Sequence, residues 1–356
     1  MNVDQSKKAT LASTPHVSLT TIHDSSLDGI RLIATLMVLL IHISGKGFAA
    51  LIAHWWAVNT YESISRICVP LFFMLTGALL LPRTHSLIGV AKRAWRIIYV
   101  LFVWSFIYLF YLTFYGPVAS NWFAAVLRAP IVGHFWYLYT LIPVYFLIPV
   151  LGAFFTTASK SLQLGTLAVW LLVASLVPFI NRFAGKPVIA IDVAVFYIYP
   201  AYVFAGAYLY KFKKTSLRRV AFYIALWGTT TVLTAFFTWY FSKDANVNTE
   251  LYYEYFSPLV VISTLCAFVA IRALTAKLVE FHSFFKDGLK FFGELSFGIY
   301  LIHPMIIWEF ERLGFDWHFI NPWLAIPCVL LGVVTVSGTI VWVMKKIPLV
   351  RMIVPG

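Results

Sequence analysis

Apolar residues run along most of the chain in blocks of about twenty, parted by short segments that carry nearly all the charge. A membrane-spanning helix needs roughly 20 mainly apolar residues. The pattern predicts ten such helices, over 29–50, 62–81, 95–115, 133–153, 163–181, 190–211, 219–241, 253–274, 291–310 and 323–344. Pro70, Pro143, Pro149, Pro200, Pro304 and Pro327 fall inside or near these blocks. Membrane helices tolerate them because neighbouring groups satisfy the freed carbonyls. The expected fold class is therefore all-α, a polytopic transmembrane helix bundle of about ten spanning helices. Residues 1–25 are polar and rich in Ser and Thr, with no signal-peptide core. They are expected to form a mobile cytoplasmic tail, followed by one membrane domain over 26–350.

Composition agrees. Hydrophobic residues make up 61% of the 356 and charged residues only 12%, against about 25% charged in soluble domains. The net charge of +13 could point to nucleic acid, but the placement of the charges says otherwise. With the N-terminus in the cytoplasm, the outer segments hold only Lys46, Arg128, Arg182, Lys186, Lys243 and Arg312. Apart from Arg31 and Arg66 at helix ends, the other Lys and Arg fall on the inner side. This bias predicts that both termini are cytoplasmic, and it accounts for the charge with membrane lipid, not nucleic acid, as the surrounding partner. Cys68, Cys266 and Cys328 lie in apolar runs without metal or disulfide spacing and read as packing residues.

The first block, LDGIRLIATLMVLLIHISG (27–45), keeps two cationic side chains, Arg31 and His42. Eleven residues at about 100° each return to nearly the same face, and the rise separates the two by roughly 16 Å. Arg31 then sits near the cytoplasmic edge and His42 past the midplane, where an ionisable group usually faces the bundle interior or a wet cavity. Asp28 is placed to cap the helix and pair with Arg31. Taken singly, Arg31 could be a snorkelling anchor and His42 a core histidine bonded across helices. As a pair on one face they suit a long ligand, with phosphate at the guanidinium and proton transfer at the imidazole. Acyl-coenzyme A has that shape.

Other polar residues form candidate constellations. Arg93 and Arg96 share a face at the start of the third block and could grip phosphate oxygens, or simply follow the positive-inside bias. Ser296, Tyr300 and His303 follow i, i+4, i+7 on the ninth block, as a reaction-chamber stripe or as interhelical hydrogen bonders. His303 falls at a depth similar to His42. His134, Trp136 and Tyr137 open the fourth block at the outer edge, as an aromatic belt or as a sugar-stacking wall. Glu62 and Arg66 at the outer start of the second block are a local ion pair or a contact to a glycan phosphate. Asp192 and Glu254 head the sixth and eighth blocks and could accept sugar hydroxyls or cap. His54, His85, His282 and His318 carry no assignment. The chain has no Gly-x-Ser-x-Gly, no Walker loop and no His-Glu-x-x-His, which disfavours a serine nucleophile and a zinc site. No metal ligand set is expected.

Leu27-Asp28-Gly29 followed by Arg31, ten residues and His42 resembles the signature of the acyltransferase 3 family of integral-membrane O-acyltransferases. RICVPLFFMLTGALLLP (66–82), KRAWR (92–96), HFWYLYTLIPVYFLIPVL (134–151) and ELSFGIYLIHP (294–304) resemble that family's later helices in order. The resemblance spans roughly residues 24–345 and is nearest to stand-alone members without a fused esterase domain. It implies transfer of an acyl group, acetyl above all, from cytoplasmic acyl-coenzyme A to a sugar hydroxyl of an extracytoplasmic or lipid-linked glycan, at the bacterial inner membrane. Acetyl-coenzyme A would be a donor substrate; no permanently bound cofactor is implied. Arg31, Arg93 and Arg96, with Ser296 and Tyr300, would hold the coenzyme. His42 would act as general base, with His303 or a carboxylate orienting it. An acyl-histidine intermediate remains an open alternative. Glu62, Arg66, His134, Trp136, Tyr137, Asp192 and Glu254 would face the carbohydrate acceptor. Two other functions compete. A polysaccharide exporter or flippase also buries charge, but most often shows repeated halves, and none is visible. A lipid-binding sensor or assembly factor would depend on its basic loops and not on Arg31 or His42.

Overall fold

The structure, a computed structural model, describes residues 24–48, 55–191, 197–212, 215–243 and 249–355. The expected tail over 1–25 falls almost wholly outside these residues. Twelve α-helices and three 3-10 turns occur, with no strand among the described residues. The helices are α1 (Ser25–Phe48), α2 (Trp55–Ser65), α3 (Cys68–Leu80), α4 (Leu87–Thr113), α5 (Trp122–Arg128) and α6 (Trp136–Thr157). They continue with α7 (Lys160–Phe183), α8 (Ile198–Tyr210), α9 (Leu217–Lys243), α10 (Pro258–Phe281), α11 (Ser283–Arg312) and α12 (Pro322–Lys346). Among the described residues nine helical stretches are long and apolar enough to cross a bilayer. The chain is an all-α, multi-pass membrane protein.

Helix α1 is central, packing on α2, α3, α10, α11 and α12. It starts at Ser25, four residues before the expected position, so its cap is Asp24 and not Asp28. Asp24 Oδ1 accepts from the Ser26 amide at 2.9 Å and from the Ser26 hydroxyl at 2.6 Å. Its Oδ2 accepts from the Tyr210 hydroxyl at 2.8 Å, and the Arg272 guanidinium lies 4.6 Å from the Tyr210 ring centre. Burial alone would raise the Asp24 pKa. The hydrogen bonds from Ser26 and Tyr210, with the Arg272 charge, outweigh burial and hold it below the ordinary value. This cluster ties the start of α1 to the end of α8 and to α10 on one face of the bundle, here the basic face.

Two expected helices differ from what is observed. The block over 62–81 is one span over Trp55–Leu80, broken between Ser65 and Cys68. Its first turns are polar but face inward: Asn59 is completely buried and donates to the Ala235 carbonyl at 2.8 Å. Hydropathy therefore placed its start too late. The block over 190–211 becomes the 13-residue α8, about 20 Å long, below the length of an ordinary span. Every residue from Ile198 to Ala207 is buried, so α8 is a core helix without a lipid face. Near its start Tyr199 lines the second cavity described below, and at its end Tyr210 reaches Asp24 on the basic face.

The short helices α3 and α8 cross at glycines. A Cβ on Gly77 would overlap the Val203 carbonyl, and one on Gly206 would overlap the Met74 backbone. Small residues that let backbones touch are the usual device for packing helices in lipid, where tail and side chain are equally apolar. The outer faces of α7, α9 and α12 instead expose large apolar groups such as Val169, Leu172, Phe222, Val232 and Leu331. Cys68 and Cys266 are buried, whereas Cys328 is exposed on the α12 face, so only the first two pack in the interior.

Candidate active site

A cavity of about 390 Å³ opens toward the basic face between α1, α3, α4, α6 and α11. Arg31, Arg93, Arg96, Ser296 and Tyr300 all line it. Apolar walls from Phe72, Leu75, Leu79 and Leu141 complete it. Two of the cations, Arg31 and Arg93, have a nearby brace. Arg31 Nη1 donates to Asp28 Oδ1 at 2.7 Å. Gly293 of α11 approaches this pair so closely that a Cβ would stand 3.0 Å from Asp28 Oδ1 and 3.2 Å from Arg31 Nη1. Ser296 donates to the Gly293 carbonyl at 2.8 Å. Arg93 Nη1 lies 3.1 Å from His85 Nδ1, and His85 Nε2 lies 2.7 Å from the Leu80 carbonyl. A carbonyl only accepts, so Nε2 carries the His85 proton and Nδ1 accepts from Arg93. Sequence reasoning gave His85 no role. Its one signal was a position just past the α3 terminus and eight residues before Arg93.

A second cavity, of about 450 Å³, lies beyond the first, away from the basic face. His42, Glu62, Arg66, His134, Trp136, Tyr137, Glu254 and Tyr300 line it, so eight expected residues from five separate blocks converge on one space. Asp192 lies outside the described residues. Glu62 and Arg66 are not at the outer start of a helix. Glu62 lies in the last turn of α2 and Arg66 in the break that follows, and irregular backbone at membrane depth is tolerated where it borders a cavity. Arg66 pairs with Glu62 Oε2, Ser44 donates to Glu62 Oε1 at 2.6 Å, and the guanidinium lies 4.2 Å from the Tyr253 ring centre. Glu254 pairs with Arg182 at 2.5 Å. Glu250, Tyr199, Tyr255 and Cys68 also line this space and were missed by sequence reasoning. The clustered tyrosines of LYYEYF (251–256) were the available signal for Tyr255; Glu250 had none.

Three imidazoles meet beside the second cavity: His42 and His134 line it, and His303 stands behind them. The His42 ring centre is 5.1 Å from that of His303 and 6.1 Å from that of His134, and the last two are 5.1 Å apart. His134 is buried on the 3-10 turn Gly133–Phe135, not in an interfacial belt, and its carbonyl accepts from the Tyr300 hydroxyl at 2.7 Å. His303 is completely buried. Its Nδ1 donates to the Tyr300 carbonyl at 2.8 Å, which leaves a lone pair on Nε2; that atom has no hydrogen-bond partner among the described residues. Among the described residues no group of three or more His, Cys, Asp or Glu is arranged to hold a metal ion.

The cavities share three lining residues, Phe72, Tyr137 and Tyr300. A basic pocket thus adjoins a pocket with an imidazole, a buried ion pair and aromatic walls. An anionic carrier held by the first could present a reactive group to the second, where a proton acceptor stands against stacking surfaces. No curated protein and no solved structure matches the chain. The acyltransferase domain of the acyltransferase 3 family matches residues 24–342. With that match over nearly all of the bundle, every lining residue of the second cavity and all but Pro355 of the first, the chain belongs to the acyltransferase 3 family and is a membrane acyltransferase.

Proposed function

We propose that this protein is an O-acyltransferase that moves an acetyl group from cytoplasmic acetyl-coenzyme A to a sugar hydroxyl of an extracytoplasmic or lipid-linked glycan. The observation that carries the reading is the contact of the two cavities at Phe72, Tyr137 and Tyr300, with Arg31, Arg93 and Arg96 on one side and His42 on the other. The cations of the first cavity suit the donor's phosphates. The apolar walls around Phe72 and Leu75 suit its pantetheine arm, and the roughly 16 Å from Arg31 to His42 along α1 is spanned by that arm. The basic face is assigned to the cytoplasm on the positive-inside bias. The setting is the bacterial inner membrane, and the nearest functional type is the stand-alone enzyme exemplified by the enterobacterial common antigen O-acetyltransferase.

In the proposed reaction His42 takes the proton of the acceptor hydroxyl as its oxygen attacks the thioester carbonyl. The tetrahedral intermediate then collapses, the C–S bond breaks, and the imidazolium returns the proton to the thiolate. His303, whose ring centre lies 5.1 Å from that of His42 and whose Nε2 has no hydrogen-bond partner among the described residues, orients His42 and stabilises its protonated form. Trp136 and Tyr137 stack on the sugar, and Glu62, Arg66 and Glu254 contact its polar groups. The donor never crosses the membrane, because the acceptor enters from the opposite face.

The test is purified protein with radiolabelled acetyl-coenzyme A and a glycan acceptor, comparing wild type with His42→Ala and Arg31→Ala. Label should move to the glycan fastest with wild type, roughly 10²–10⁴-fold more slowly with His42→Ala, and with Arg31→Ala only at raised donor concentration. Equal transfer by His42→Ala would remove the assignment of the base, and absence of acetyl-coenzyme A binding would remove the donor.

A further inference from the structure

Outside the two cavities a third concavity, of about 940 Å³, lies on the basic face, near the top of the roughly 300–1,000 Å³ range of small-molecule sites. Lys92 and Arg96 of α4 enter it from one side and Lys345 of α12 and Arg351 from the other. Lys92, Arg96 and Tyr99 follow i, i+4, i+7 and so form one face of α4, with Trp95 beside them and two-thirds exposed. One carboxylate, Glu294, stands among the cations.

The segment after α12 builds this concavity and joins it to the first cavity. Its turn Val350–Ile353 is strapped down by the buried Trp104 indole, which donates to the Ile353 carbonyl at 2.7 Å, and Val354 is completely buried. Pro355 therefore has a fixed place. It lines both the concavity and the cavity of Arg31, as does Arg96. Lys345 donates to the Glu294 carbonyl at 2.6 Å, fixing the opposite rim.

We propose that this concavity is the nucleotide subsite, which takes the 3′-phosphorylated adenosine of the donor, while its diphosphate passes Arg96, common to both spaces, to the cations of the first cavity. The inference rests on the proposed acyl-coenzyme A reading and deepens it. Lys92, Lys345 and Arg351 suit the 3′-phosphate, and Arg96 stands where the diphosphate would leave for the first cavity. The Trp95 and Tyr99 rings provide a flat apolar surface for a base. Glu294 would repel a purely anionic ligand, but it accepts readily from a ribose hydroxyl or an adenine amine. An anionic lipid headgroup shares the phosphate chemistry and lacks the purine.

The test compares two donors, acetyl-coenzyme A and acetyl-pantetheine, which lacks the nucleotide, with wild type and with the double variant Lys92→Gln/Arg351→Gln in nanodiscs of neutral and of anionic lipid. Direct binding of adenosine 3′,5′-bisphosphate is measured in parallel. The ratio of kcat/KM for acetyl-coenzyme A to that for acetyl-pantetheine should fall about tenfold or more in the variant, from the loss of charged hydrogen bonds. The fall should be the same in both lipids, and bisphosphate binding should weaken in step. An equal loss with both donors, a loss confined to anionic lipid, or unaltered bisphosphate binding would each overturn the subsite. Wild type that turns over neither donor but binds the bisphosphate through these cations would keep the subsite and remove the acyl-coenzyme A reading.

Discussion

The two cavities are built in opposite ways. In the basic one each braced cation leans on a neighbour close in sequence, Arg31 on Asp28 three residues back and Arg93 on His85 eight residues back. In the other cavity the central group, His42, meets imidazoles from positions 134 and 303, and the Tyr300 hydroxyl holds the His134 backbone across 166 residues. A site that grips phosphate tolerates such local construction, because a guanidinium needs only rough placement to attract charge. A site that moves a proton needs atoms within hydrogen-bond reach, and here only the packed bundle supplies that precision. Substitutions in the two cavities should therefore differ in kind as well as in size.

The sharpest break comes from the two ends of the α1 stripe. His42→Ala removes the proton acceptor and should lower kcat by roughly 10²–10⁴-fold, while equilibrium binding of labelled acetyl-coenzyme A stays as in wild type. Arg31→Ala should do the reverse, weakening donor binding about ten- to a hundredfold, the value of a charged hydrogen bond of about 1.5–3 kcal/mol. If His42→Ala abolished donor binding to the same degree, the cavities would be one cooperative site and the contrast would fail.

Next in size is the ion pair at the helix break. Glu62 is completely buried against Arg66 and Ser44. Removing one partner of a buried pair typically costs about 3–5 kcal/mol, whereas replacing both with apolar or neutral groups is often nearly neutral. Glu62→Gln and Arg66→Met should each lower the melting temperature in detergent, and the double variant should recover much of the loss. Acceptor KM should stay raised in the double variant, because the charges facing the glycan are gone. Recovery of acceptor KM together with the melting temperature would reduce the pair to scaffolding.

The same contrast explains what the sequence disclosed. Arg31 and His42 could be placed on one face because a helix converts spacing into direction, and α1 is an unbroken helix. The long apolar blocks likewise disclosed the all-α bundle. The break at Arg66–Ile67 was hidden, since its residues are as apolar or polar as their helical neighbours and the unwinding is stabilised by tertiary contacts. α8 was read as a full span because hydropathy measures greasiness and not which groups cover it; its burial comes from α3, which it meets at Gly77 and Gly206. His134 looked interfacial for the same reason: position along the block gives depth, while only packing decides between belt and interior. Glu250 and Tyr199 reach the cavity through chain reversals that no periodicity encodes.

The smallest expected effect falls on the locally built cavity and tests whether its bracing matters. His85 joins the Leu80 carbonyl at the end of α3 to the Arg93 guanidinium, donating through Nε2 and accepting through Nδ1. His85→Phe keeps the ring and loses both bonds, so Arg93 is free to swing from the cavity. A net hydrogen bond of about 0.5–1.5 kcal/mol corresponds to a rise of roughly two- to tenfold in donor KM, with kcat held. His85→Gln can still donate from its amide nitrogen and accept at its oxygen, and should bring KM back toward wild type. A fall in kcat without a change in KM, or a glutamine variant as poor as phenylalanine, would mean that His85 only packs the turn and that Arg93 holds its place unaided.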